Sequence, residues 1–255
     1  MLIAVDIGNT NIVLGFMQDA QITHMYRLTT SNVRTSDEYG IHLLQFLSLS
    51  GYTVEDVEDV IVCSVVPSVM HSFKSSIEKF LNKSPLVVGP GMKTGVAVRI
   101  DDPKSLGADC LVDCVAAYHL YSSPCLVIDM GTATTYNYVD AKGGITMGVV
   151  QTGLQTSAKA LAGNTAQLPE VEIERPTTVM AKNTITAIQT GLYYGFLGGI
   201  ERFVEQFRKE LGTDFKVIAT GGLGHVIEND TDCIDVYDPH LIFKGLQIIY
   251  DKNKA

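Results

Sequence analysis

One short segment of the chain occurs twice, and the distance between its two copies constrains the fold. Residues 5–11 read VDIGNTN, and residues 128–134 read IDMGTAT. Each copy follows an apolar run and precedes strand-like residues and a polar turn. A repeat at an offset of 123 positions is too long for a solenoid. The pattern predicts a duplicated α/β domain, in which each half presents an acid and a glycine turn toward a shared cleft.

Composition favours two small domains in a reducing compartment. A chain of 255 residues can form one large domain or two small ones, and the repeat favours two, at residues 1–109 and 110–255. The five cysteines are odd in number and have apolar neighbours, which is typical of reduced thiols in the cytoplasm. No signal peptide is expected, because Asp6 interrupts the first apolar run.

Charge and hydropathy argue against a nucleic acid and against a membrane as partners of this chain. The net charge is −9 and Lys and Arg never cluster densely, which argues against nucleic acid. No apolar stretch reaches the ~20 residues of a membrane span. A bound phosphate group would therefore rest on backbone amides, hydroxyls and metal ions.

Periodicity predicts the same order of elements in both halves, β-β-β-α-β-α-β. The first half has predicted strands at 2–7, 11–17, 21–29, 60–65 and 85–89, with helices beginning near 36 and 67. The second half has strands at 125–130, 133–139, 145–150, 215–219 and 233–237. Its helices are predicted at 111–121, 154–162, 184–211 and from about 239.

The repeated glycine turn suits an anion. Gly8 allows close approach of the backbone, successive amides form an anion-binding concavity, and Asn9, Thr10 and Asn11 add side-chain donors. Asp6, at the end of the strand, can hold Mg²⁺ directly or through water. A plain hairpin with a polar tip is the alternative, and the second copy in register favours the anion site.

Other positions carry two interpretations each. The Gly221-Gly222 turn after a buried strand suits the nucleoside end of ATP, or is a loop that leads into a helix. Asp109 is a candidate general base, or an acid that stabilises the start of a helix. Glycines 191, 195 and 199 lie on one stripe of the long helix, where each costs roughly 1 kcal/mol relative to alanine. This stripe indicates close packing within the fold or at a subunit interface.

The ordered set of motifs resembles one family. Glycine turns in duplicated halves, with a later Gly-Gly turn, resemble the actin, sugar kinase and Hsp70 superfamily, which implies two ribonuclease H-like (actin-like ATPase) domains around a central cleft. More narrowly, the chain resembles the type III pantothenate kinases almost end to end. The matching segments are residues 6–11, 63–67 (CSVVP), 90–95 (PGMKTG), 107–109 (GAD), 129–134 (DMGTAT), 164–169 (NTAQLP), 183–184 with Ala187 and Gly191, and 220–222 (TGG).

The resemblance implies ATP-dependent phosphorylation of pantothenate to 4′-phosphopantothenate, the first step of coenzyme A biosynthesis. It implies Mg²⁺ together with either K⁺ or NH₄⁺ as cofactors, Asp109 as the base and a monovalent cation at Asp129. It also implies a homodimer in which Thr184 reaches the partner's pantothenate. The implied ATP contacts are Asp6, Ile7, Gly8, Asn9, Thr10, Asn11, Ile12, Val13, Gly131, Thr132, Gly221 and Gly222. The implied pantothenate contacts are Gly107, Ala108, Asp109, Cys110 and Thr184.

Two departures from the family pattern lie on the pantothenate side. Cys110 stands where the family has Arg, and Ile100 stands where an aromatic residue is usual. A non-catalytic, nucleotide-binding regulatory protein and a kinase for another small alcohol therefore stay open as alternatives.

Overall fold

The computed structural model describes residues 1–254 and contains the predicted alternation of strands and helices. The strands are β1 Leu2–Ile7, β2 Asn11–Gln18, β3 Gln21–Thr29, β4 Asp59–Ser64, β5 Leu86–Val87, β6 Ala97–Val98, β7 Cys125–Met130, β8 Ala133–Val139, β9 Gly144–Thr152, β10 Lys216–Thr220 and β11 Val236–Tyr237. The helices are α1 Ser36–Leu49, α2 Pro67–Leu81, α3 Ala108–Leu120, α4 Leu154–Gly163, α5 Thr184–Leu211, α6 Gly224–Ile227 and α7 Leu241–Lys254.

The chain forms two compact units, each with its own sheet and core. The first unit contains residues 1–95 and 104–116 and the C-terminal segment from Ile242, and the second contains residues 96–103 and 117–241. The C-terminal helix joins the first unit because Gly245 passes close to Val112, where a methyl group would lie 2.2 Å from the Val112 carbonyl oxygen. The predicted boundary between residues 109 and 110 stays a prediction about the duplicated halves. The compact units divide the chain differently.

The sheet of the first unit has the order β3-β2-β1-β4-β5. β1 pairs with β2 in antiparallel orientation and with β4 in parallel orientation, so β1 is central and carries a run of buried apolar residues. The buried apolar faces of α1 and α2 contribute to the same core. Helix α1 begins with a capping box, in which Thr35 and Glu38 satisfy each other's backbone amides.

The sheet of the second unit repeats this order as β9-β8-β7-β10-β11, with β6 added beside β9. β7 takes the place of β1, and the two strands share one burial pattern, in which only the aspartate is half-buried. The predicted duplication is therefore confirmed at the level of strand order, while the register of β8 on β7 differs by one residue from that of β2 on β1. The outer strands β5 and β11 are each two residues long and shorter than predicted.

Helix α5 has the predicted bounds, and the residue that caps each end explains them. Asn183 caps the N-terminus by accepting a hydrogen bond from the Thr186 amide, and Gly212 ends the helix in the left-handed conformation. Helix α3 begins earlier than predicted, at Ala108, so Asp109 lies in its first turn. Within residues 1–254, no helix has the length and apolarity needed to cross a membrane.

Candidate active site

The glycine turn of the first unit joins β1 to β2 and is closed by its own backbone. The Gly8 amide donates to the Asn11 carbonyl at 3.0 Å. The Thr30 hydroxyl donates to the Gly8 carbonyl at 2.7 Å, so the residue after β3 supports the turn from one side. The side chains of Ile7 and Ile12 are fully buried, and these two residues can therefore offer a ligand only their backbone.

The half-buried carboxylate of Asp109 belongs to the same unit as this turn. Its Oδ1 accepts a hydrogen bond from the Cys110 amide at 2.7 Å. A methyl group at Gly107 would lie 2.4 Å from that oxygen, so glycine is required for this carboxylate position. Gly107, Asp109 and Cys110 therefore form one local arrangement at the start of α3.

The buried Cys63 thiol is influenced by carboxylates of both the glycine turn and helix α3. Cys63 pairs with Asp6 across β1 and β4. Burial raises the pKa of the Cys63 thiol well above its usual value, and the charges of Asp6, Asp109 and Asp113 raise it further. The carboxylates of Asp6 and Asp109 therefore both act on this thiol, which stays protonated and unreactive.

The glycine turn of the second unit joins β7 to β8 and is one residue shorter than the turn between β1 and β2. The Gly131 amide donates to the Ala133 carbonyl at 3.2 Å. Asp129 is the penultimate residue of β7, as Asp6 is of β1, and it pairs with Thr135 on β8 and Thr220 on β10. Its carboxylate faces the turn, because Oδ2 lies 3.6 Å from the position of a methyl group at Gly131.

The sequence alone did not place Gly153 and Thr156 at this turn. The Gly153 amide and the Thr156 hydroxyl both donate to the Thr132 carbonyl, at 3.1 and 2.7 Å. A methyl group at Gly153 would lie 2.2 Å from the Gly131 carbonyl oxygen. The available signal was a glycine between a strand and a helix, which is typical of close backbone approach.

The Gly-Gly turn after β10 packs against the backbone of Met130, the last residue of β7. Gly221 has a φ of +95°, and a methyl group there would lie 2.6 Å from backbone atoms of Met130. Gly222 is exposed, and a methyl group added to it would meet no atom within 4 Å. Three predicted contacts, Gly131, Thr132 and Gly221, are therefore brought together in the second unit.

Thr184 lies elsewhere in the second unit. It is exposed at the first position of α5 and lines a pocket of about 680 Å³ together with Lys182, Asn183 and apolar residues of α4 and α5. The described lining of this pocket includes none of the other predicted contacts. The predicted contact of Thr184 with pantothenate therefore stays a prediction.

The glycine stripe of α5 divides into two groups. A methyl group at Gly191, Gly195 or Gly198 would meet no atom within 4 Å, whereas one at Gly199 would lie 3.1 Å from Gln151 Nε2. Gly199 therefore serves packing within the fold. The other three leave an open groove on an exposed helix surface.

Carboxylates are present at the two positions where metal ions are predicted. Within residues 1–254, no group of three or more His, Cys, Asp or Glu side chains is arranged to hold a metal ion. Asp6 and Asp129 each lie half-buried beside a glycine turn. Mg²⁺ is commonly held by one or two carboxylates together with substrate phosphates and water, so a single carboxylate fits an ion that arrives with ATP.

Comparison with known proteins gives one consistent family. The model of the type III pantothenate kinase family matches residues 2–206. A type III pantothenate kinase of Bifidobacterium longum subsp. infantis is 60% identical over 253 residues, which cover 99% of each chain. One from Agathobacter rectalis is 46% identical over 99% of this chain and 97% of its own length.

Structural comparison confirms the predicted fold. The activator of the 2-hydroxyisocaproyl-CoA dehydratase from Clostridium difficile, solved with bound ADPNP, matches with a TM-score of 0.55 over 99% of this chain and 96% of the other. The identity is only 10%, so this likeness shows the fold alone. A putative 2-dehydro-3-deoxygalactonokinase from Sinorhizobium meliloti shares the fold as well, with a TM-score of 0.58 over 98% of this chain and 95% of the other at 11% identity.

Proposed function

Because the chain belongs to the type III pantothenate kinase family, we propose that it transfers the γ-phosphoryl group of ATP to the primary hydroxyl of pantothenate. The product is 4′-phosphopantothenate, and the reaction is the first step of coenzyme A biosynthesis. The observation that supports this proposal is that the charges of Asp6, at the end of β1, and of Asp109, on α3, both act on the buried thiol of Cys63. The reduced thiols favour a cytoplasmic location.

Asp109 acts as the general base in this proposal. Its carboxylate accepts the proton of the pantothenate hydroxyl while that oxygen bonds to the γ-phosphorus and the bond to the leaving ADP oxygen breaks. The hydrogen bond from the Cys110 amide and the space left by Gly107 hold the carboxylate in one position. Positioning of this kind matters because phosphoryl transfer needs little covalent help from the protein.

The glycine turns hold the phosphates in this proposal. The backbone amides of residues 6–13, with the side chains of Asn9, Thr10 and Asn11, form one set of donors, and Gly131 and Thr132 form the other. Gly221 and Gly222 suit the nucleoside end of ATP. Donors of these types fit a chain in which Lys and Arg never cluster.

We assign the metal ions to the two half-buried aspartates. Asp6 would hold Mg²⁺, directly or through water, and Asp129 would hold K⁺ or NH₄⁺ with carbonyl oxygens of its turn. When bound, these ions supply positive charge that neutralises the phosphates. The protein's own contribution is to fix both carboxylates at strand ends beside a turn.

We also propose a homodimer with composite sites. The open groove at Gly191, Gly195 and Gly198 admits another helix at close range, and Ile185 and Tyr194 are exposed apolar side chains on the same helix. Isologous dimers are the commonest symmetric assembly. In such a dimer Thr184 of one subunit would contact pantothenate bound beside Asp109 of the other.

A coupled assay of ADP release tests the proposed phosphorylation of pantothenate. Purified protein is assayed with Mg·ATP and pantothenate, and in parallel with a panel of small alcohols of similar size. We expect ADP release that depends on pantothenate and formation of the phosphomonoester. Release with another alcohol alone would identify a different kinase, and nucleotide binding without release would favour a regulatory protein.

Subunit mixing tests the composite site. Asp109→Asn subunits are exchanged with Thr184→Val subunits. If the site is shared, one site of each mixed dimer is wild type, so random exchange restores up to about a quarter of the activity. Mixed dimers without any recovered activity would contradict a role for Thr184 across the interface.

A further inference from the structure

Two side chains hold consecutive carbonyl groups of the Gly221-Gly222 turn. The Tyr237 hydroxyl donates to the Gly221 carbonyl at 2.8 Å. The Nδ1 atom of His225 lies 2.8 Å from the Gly222 carbonyl oxygen. A carbonyl oxygen only accepts hydrogen bonds, so Nδ1 carries the proton in this arrangement.

Fixing a carbonyl also fixes the next amide in the chain. The peptide unit is planar and trans, so its C=O and N–H groups point in opposite directions. Tyr237 therefore orients the Gly222 amide, and His225 orients the Leu223 amide. The Gly221 carbonyl accepts a second hydrogen bond from the Gly224 amide at 3.2 Å, which restricts the first peptide further.

Packing around the turn supports this arrangement. A methyl group at Gly224 would lie 2.2 Å from a ring carbon of Tyr237, so the ring rests directly on the chain. Burial raises the pKa of Tyr237, against the effect of a hydrogen bond from the His225 backbone. The hydroxyl therefore stays protonated at neutral pH and remains a donor. His225 and Gly222 are exposed, which leaves the outer side of the turn open.

We propose that Tyr237 and His225 are positioning residues that aim the Gly222 and Leu223 amides at acceptor oxygens at the nucleoside end of ATP. This inference rests on the proposed kinase function and extends it to two residues outside the family motifs quoted above. Neither side chain touches the ligand. Each acts by holding one peptide plane in the orientation that ATP binding needs, which lowers the cost of ordering the turn.

Tyr237→Phe removes the hydroxyl and keeps the ring on Gly224. ATP must then order the turn by itself, at a cost of at most the contribution of the lost hydrogen bond, about 0.5–1.5 kcal/mol. We therefore expect the Kd and KM for ATP to rise about 2- to 10-fold while kcat changes little. Inorganic tripolyphosphate, which lacks the nucleoside, is expected to inhibit the variant as well as it inhibits the wild type. Tyr250→Phe is the matched control, because it loses a hydroxyl bond to Asp59 in the first unit.

His225 offers an independent test at an exposed position, where substitution leaves the fold intact. His225→Ala is expected to weaken ATP binding about 2- to 10-fold. His225→Asn is expected to restore it, because the Asn side-chain nitrogen is as many bonds from Cα as Nδ1 and also donates. Both changes are read by calorimetry with ATP and by inhibition with tripolyphosphate.

The outcomes separate this inference from the proposed function. If wild-type protein does not phosphorylate pantothenate, the proposed function fails whatever the variants do. If wild type is active, unchanged ATP binding in Tyr237→Phe and His225→Ala overturns the inference. Equal weakening of ATP and tripolyphosphate also overturns it, because the effect would then lie outside the nucleoside end.

Discussion

The two glycine turns are copies of one motif, and the structure supports them in different ways. In both, an aspartate at the end of a central strand precedes a glycine whose amide closes the turn. The turn after β1 is supported by Thr30, whose hydroxyl donates to Gly8 and whose amide donates to Thr10. A methyl group at Gly8 would lie 3.3 Å from the Asn11 carbonyl oxygen, a tight contact but a longer one than those at Gly153 and Gly221. The backbone of the turn after β7 packs closely against Gly153 and Gly221.

The difference indicates that the surroundings of the two turns suit different functions. The first turn lies among carboxylates that all act on Cys63, so its surroundings suit proton transfer and a divalent metal ion. The second turn is built from backbone against backbone, so its surroundings suit a rigid set of donors. Substitutions should therefore change kinetics on the first side and binding or stability on the second.

Asp109→Asn gives the largest expected effect. The variant keeps the side-chain shape but cannot accept the proton, and a positioned base is worth about 10²–10⁴-fold in rate. We expect kcat to fall by that factor while the Kd for ATP stays unchanged. Steady-state kinetics and calorimetry measure the two quantities, with the exposed Asp101→Asn as a control. An unchanged kcat would remove Asp109 from the role of base.

Cys110→Arg tests the substrate side of the same region. Arg could form a charge-assisted hydrogen bond to the pantothenate carboxylate or fix Asp109, and such a bond is worth about 1.5–3 kcal/mol. The thiol of Cys110 is only a weak donor. We expect the variant to lower the KM for pantothenate roughly 10–150-fold with little change in the KM for ATP. If Arg raises a KM that is already low, the pocket has been rebuilt around cysteine.

Local patterns were sufficient to predict most of the elements. The bounds of β1, β3 and α5 follow from apolar periodicity and from capping residues such as Asn183. The repeat predicted that the two halves share one order of elements, and the spatial order of the strands came from the structure. Long-range contacts were not predictable in this way. The two-residue strand β6 forms only because it pairs with β9, and α7 joins the first unit through a close approach at Gly245.

The same limit applies to the candidate site. The glycine turns were visible in the sequence because they are contiguous and repeated. The roles of Gly153, Thr156, Tyr237 and His225 depend on contacts with residues far along the chain or on hydrogen bonds to backbone carbonyls. No periodicity in a single sequence reports such contacts.

The effects of Gly153→Ala and Gly8→Ala on stability and ATP binding compare the two turns directly. Gly153 has a φ of −67°, which alanine adopts readily, so any loss comes from the methyl group meeting the Gly131 and Thr132 carbonyls. Such overpacking costs about 1–3 kcal/mol, and we expect a lower Tm and roughly tenfold weaker ATP binding. Gly8→Ala should cost less than about 1 kcal/mol. Equal losses would show that both turns are equally confined.

The smallest expected effect concerns the monovalent cation at Asp129. Two screened charges about 4 Å apart interact by about 1 kcal/mol, so replacing K⁺ with a bulky organic cation should lower kcat/KM roughly fivefold. NH₄⁺ should restore activity, because its size and charge are close to those of K⁺. Asp129→Asn should abolish the difference between the cations, whereas Asp6→Asn should preserve it and weaken the response to Mg²⁺ instead. Equal activity of the wild type in all three cations would place the charge neutralisation on other groups, and the assignment of the cation to the second turn would be wrong.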